Sequence, residues 1–143
     1  FESLFLIRRI PIQGDYSGST LFFEDLAEYR HALRQEPDAR SLQQHLLFSL
    51  VRGALALNED EVVYSQFRTR GDALVPVVAQ SKGLATGFIP INEEAPNRSE
   101  RASAKAFLSR VNASKIVYVT PQGRLPRVLD KRTLIASMTN LTE

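Results

Sequence analysis

Apolar positions recur with two different periods along this chain, and the switches between them mark its elements. Leu4 to Ile12 is apolar except at Arg8 and Arg9 and is closed by Pro11 and the Gly14-Asp15 turn signal, which predicts a strand. From Ser19 or Thr20 the period becomes helical, with Phe22, Leu26, Tyr29 and Leu33 on one stripe and the hydroxyls placed to cap the first amides. Gln35-Glu36-Pro37 ends that helix, because proline disfavours helical backbone in the residue before it. A second helix is expected from Asp38, or from Ser41 with Gln44 as a capping-box pair, carrying Leu42, Leu46, Leu47, Leu50, Val51, Ala54 and Leu55. The short connection between the two predicts an αα-hairpin.

Beyond the acidic turn Glu59-Asp60-Glu61 the pattern alternates. Glu61 to Arg70 reads as a strand, and Gly71-Asp72 turns the chain into a second apolar run, Ala73 to Ala79. Pro76 cannot donate to a sheet ladder, so this run is expected to be an edge strand or irregular at its middle. Ser81-Lys82-Gly83 leads to a third run, Leu84 to Ile91, and the three together predict an antiparallel meander. Asn97 and Glu100 form a capping-box pattern ahead of a helix with Ala104, Phe107, Leu108 and Val111 on its apolar face. Lys115 to Thr120 alternates as a strand, and Asp130 is placed to cap a last helix bearing Leu134, Ile135, Met138 and Leu141. The order β-α-α-β-β-β-α-β-α makes this an α+β, or mixed α/β, domain. An antiparallel or mixed sheet of about five strands is expected, with the hairpin and two further helices in two or three layers.

Composition narrows the function without naming it. The chain has 143 residues, 43% hydrophobic, enough for a single globular domain over 1–143 with its own core. It opens at Phe1 without a methionine, so it is expected to be a fragment of a larger protein. The absence of cysteine excludes disulfides, thiolate metal sites and a cysteine nucleophile, and favours a reducing compartment such as the cytoplasm or an organelle matrix. No apolar run approaches the roughly 20 residues that span a bilayer, so no membrane insertion is expected. Sequons at Asn97, Asn112 and Asn140 would matter only in a secretory protein.

Candidate chemistry is sparse. Gly14 to Thr20, between a predicted strand and a predicted helix, is a candidate anion site at Gly14, Gly18, Ser19 and Thr20, although Ser19 stands where a phosphate loop carries lysine. His31 and His45, with Asp25 or Glu28, would make a minimal metal or acid–base group, but they read as one exposed and one partly buried histidine, and no metal or other cofactor is expected. Neither histidine lies near a glycine-flanked serine, and the carboxylates Glu24-Asp25-Glu28, Glu59-Asp60-Glu61 and Glu93-Glu94 read as solvated faces and loops. The net charge is only +2, but arginine outnumbers lysine 14 to 4. Arg68 and Arg70 end one strand, and Arg124, Arg127 and Arg132 follow another; gathered together, these five would bind an acidic partner or nucleic acid.

Residues Gly71 to Leu125, with Val75-Pro76-Val77, the helix at Ala102 to Val111 and the strand Lys115 to Thr120, resemble the nucleotide-side half of amino-acid kinases. That family's opening lysine and Gly-Gly motif have no counterpart here, and Pro121 stands where its aspartate follows the strand, so the resemblance transfers no functional residue. The expectation is a non-catalytic interaction module that binds a protein partner or adjacent domains of its parent chain. The alternatives are a nucleic-acid-binding module that uses the arginines and an enzyme domain for a phosphorylated ligand.

Overall fold

A computed structural model describes residues 7–15, 18–23, 39–55, 62–121 and 126–137. The chain is a mixed α/β fold in three layers, a single twisted sheet with one described helix on each face. In chain order its elements are β1 Ile7–Gly14, β2 Ser19–Phe23, α1 Ala39–Leu55, β3 Val63–Arg68, β4 Leu74–Ser81, β5 Leu84–Pro90, α2 Arg98–Arg110, β6 Ser114–Thr120, β7 Arg127–Val128 and β8 Thr133–Ser137. Across the sheet the order is β2-β1-β3-β4-β5-β6-β8-β7. The meander β3-β4-β5 is antiparallel, whereas β1 with β3, β5 with β6, and β6 with β8 run parallel.

Parallel neighbours need a crossover, and α2 supplies the one between β5 and β6. Its start is fixed reciprocally: Glu100 N donates to Asn97 Oδ1 at 2.8 Å, and Asn97 N donates to Glu100 Oε1 at 2.8 Å. This is the capping box that the sequence predicts. The helix buries Ser103, Ala104 and Phe107 against the sheet. Gly87 on β5 makes room for this packing, since a methyl group there would meet Ile116 Cδ1 and Val75 Cγ1 at 2.9 Å and Phe107 Cε2 at 3.2 Å.

Each sheet face has its own core because strand side chains alternate. Beneath α2 lie Phe67, Val75, Val78, Ile89, Ile116, Tyr118 and Ile135, with Phe67 and Phe107 edge to face at 5.3 Å. On the opposite face Leu47, Phe48 and Val51 of α1 cover Ile10, Tyr64, Val77, Phe88, Val117 and Val119. Alternation breaks in β4. Val75 and Val78 face α2 while Val77 faces α1, and the pairing with β3 steps from Ser65↔Val78 to Phe67↔Val75. Pro76 is therefore the extra residue of a bulge in a central strand.

Four expectations are corrected. Among the described residues the sheet has eight strands instead of about five. Residues 19–23 form β2, paired antiparallel with β1, so the helix predicted from Ser19 or Thr20 does not start there, and the rest of that expected helix, to residue 35, lies outside the described residues. Of the two expectations for Pro76 the edge is overturned, since β4 lies between β3 and β5, while the irregular middle is what β4 has, a bulge that absorbs the missing donor. The last predicted helix is the strand β8 over Thr133–Ser137. Asp130 does cap backbone amides, those of Arg132 (2.8 Å) and Thr133 (3.0 Å), but in a turn entering a strand. Met138 and Leu141 lie outside the described residues.

Candidate functional site

Asp15, which follows Gly14 in the candidate anion loop, is held by groups outside that loop. Gly14 takes φ 102°, and a methyl group there would fall 2.1 Å from the Arg68 carbonyl oxygen. This close approach lets Asp15 N donate to Arg68 O at 2.9 Å. The Asp15 carboxylate then accepts from Arg110 Nη1 and from Arg70 N, both at 2.9 Å. The Arg110 hydrogen bond first, and the Arg70 amide second, hold its carboxyl below the usual aspartate range. Because Ser19 and Thr20 are strand residues, no helix N-terminus follows Gly18, and the dipole argument for an anion there fails.

The five arginines do not form one patch. Arg68 and Arg70 are exposed at the C-terminal end of β3. Arg132 precedes β8, four strand positions away or roughly 19 Å at the usual strand spacing, and at the opposite end of the strands. Its guanidinium is a strut: Nε donates to Ser114 O at 2.9 Å, and Nη2 donates to Ser114 Oγ at 2.8 Å and Leu108 O at 3.1 Å, tying β8 to the end of α2. Arg127 is exposed on β7 opposite Ile135, hence on the α2 face of the sheet, and Arg124 lies outside the described residues. His45 is buried in α1, and His31 lies outside the described residues. Among the described residues there is no group of three or more His, Asp or Glu placed to hold a metal.

Two concavities flank α2. The larger, about 760 Å³, opens beyond the carboxyl ends of β5 and β6, where open α/β sheets bind ligands. Strands and strand ends give it Leu74, Pro76, Ile89, Pro90 and Pro121, none able to move a proton. Its polar rim is largely committed, since Gln43 donates to Asn92, Ser103 Oγ accepts from Leu74 N at 3.1 Å, and Asn97 and Glu100 cap each other. Asp72 and Glu100 are its charged lining residues, both acidic, a poor environment for phosphate. Gln66, beneath α1, donates Nε2 to Pro76 O at 3.3 Å, and its buried Oε1 finds no partner among the described residues.

The second concavity, about 560 Å³, is a groove between α2 and the β6-β8 side of the sheet. Leu108 and Leu129 supply its apolar surface over the buried Ala104 and Tyr118, and Arg101, Lys105 and Arg132 its cations. Asp130 also lines it, with a carboxyl held low first by the Arg132 amide and then by Thr133. Burial first, and then the Asp130 and Glu100 carboxylates, push the Tyr118 phenol up, so it stays neutral over the physiological range. The sequence showed the cations after β6 but not those of α2, because Arg101 and Lys105 are spaced as an ordinary solvated helix face.

No described helix is long and apolar enough to cross a membrane. No family model, curated protein or solved structure matches the chain, so the functional reading rests on its own geometry.

Proposed function

We propose that this domain is a non-catalytic interaction module that binds a protein partner or neighbouring domains of its parent chain. The observation that carries this reading is the cleft at the carboxyl ends of β5 and β6. In the position where such sheets most often place their chemistry, the strands contribute proline and aliphatic side chains, and the polar rim is spent on caps and turns. Beside the other groove the last hairpin exposes apolar surface instead, with Val128 73% and Leu129 38% exposed. Apolar surface at a sheet edge suits contact with another polypeptide.

The test pairs two measurements. A displayed random-peptide library panned on the domain should enrich peptides that bind it reversibly, while its melting temperature stays unchanged across a panel of nucleotides and sugar phosphates. Failure to enrich any peptide, together with a rise in melting temperature with one of those small molecules, would sink the reading in favour of an enzyme domain. A generic oligonucleotide bound tightly at low salt and released at high salt would favour the nucleic-acid alternative instead.

A further inference from the structure

We infer that the groove between α2 and the β6-β8 side of the sheet docks an acidic peptide segment, with an apolar side chain of the segment on Leu108 and Leu129 and its carboxylates on Arg101 and Lys105. This rests on the interaction-module reading and adds the surface and the partner's chemistry. Two separate parts of the chain converge there. From α2 come Arg101 and Lys105, one helical turn apart on the same face and both exposed. From the last hairpin come Arg132 in the lining and Arg127, which shares the α2 face of the sheet with its cross-strand partner Ile135.

Among the described residues the charge in the groove is not balanced internally. The two carboxylates that act on Tyr118 are Asp130 and Glu100, and backbone amides already hold both. No ion pair among the described residues engages Arg101 or Lys105. Arg132 is spent on Ser114 and Leu108, so it contributes field to the groove while Arg101 and Lys105 contribute mobile donors. The apolar surface between these cations selects for a segment that alternates carboxylates with an aliphatic or aromatic residue. The larger cleft, lined by Asp72 and Glu100 without a cation, would repel the same segment.

The experiment titrates the intact domain with a fluorescein-labelled short peptide alternating Glu and Asp with Leu, with its Gln/Asn counterpart, and with a single-stranded oligonucleotide. The acidic peptide should bind, lose affinity as salt rises, and shift the amide resonances of Leu108, Tyr118 and Leu129. Arg101→Glu and Lys105→Glu should each weaken it about three- to tenfold, while Arg68→Glu at the far end of the sheet changes nothing. Lys105→Gln, which removes charge without adding repulsion, should give a smaller loss in the same direction and guards against a folding defect in the reversal. Equal binding of the Gln/Asn peptide, indifference to the two reversals, or preference for the oligonucleotide would overturn the inference. Peptides selected from the library that bind elsewhere on the domain would overturn it too, while leaving the interaction-module reading intact.

Discussion

Asp15 links two parts of the chain that are 95 residues apart in sequence, through its ion pair with Arg110 at 2.9 Å. Both side chains meet solvent, 27% and 47% exposed, so screening keeps the pair's worth small, yet its pH signature is distinctive. The folded state holds Asp15 below its ordinary range, so the stabilisation is complete above that range and is lost as pH falls through the lowered folded value. Asp15→Asn should therefore cost stability at about pH 7 and progressively less as the solution is acidified below the ordinary aspartate range. Urea denaturation of both proteins over an acid series checks this; a constant difference across the series would show that the carboxylate's charge is not the source.

Among the elements, α2 has the most explicit beginning. Asn97→Ala removes the side-chain acceptor for Glu100 N while keeping the backbone amide that donates to Glu100 Oε1, which should cost about 1 kcal/mol in urea denaturation. Adding Glu100→Ala should cost less than the sum of the two single changes, because each bond orders the other. This helix was legible from sequence because both bonds close within four residues. The same local logic misled at Asp130, where an aspartate accepting from the amides two and three residues on serves a helix cap and an Asx turn alike. Nothing in Thr133-Leu-Ile-Ala-Ser137 separates a short buried strand from a helical turn until its parallel pairing with β6 is known. Residues 19–23 failed similarly, since Phe22 fits either period and pairing with β1 decides it. The groove was less legible still. Its cations come from α2 and from the β7-β8 hairpin, and only the crossover from β5 to β6 brings them to one place.

For the whole molecule, the arrangement of two cores on one sheet depends on every central strand keeping its faces in phase. The bulge in β4 bears on this directly. With Pro76 removed, Val75 would still oppose Phe67, Val77 would oppose Gln66, and Val78 would still oppose Ser65, so each valine would keep the core it now occupies. Deletion of Val78 would also take up the extra residue, but it would leave Pro76 opposite Gln66 in a regular ladder, where its missing donor is no longer absorbed. A protein lacking Pro76 should therefore fold with an unchanged denaturant slope, and one lacking Val78 should be less stable than it, with proline held in a regular central strand. Measured for both deletions, unfolding of the Pro76-less chain would show that the bulge is required for the sheet to form. On the geometry it is a supernumerary residue, whose carbonyl holds Gln66 and whose ring lines the larger cleft. The strand thus has a built-in site of length tolerance, at a depth in the sheet where insertions and deletions are otherwise forbidden.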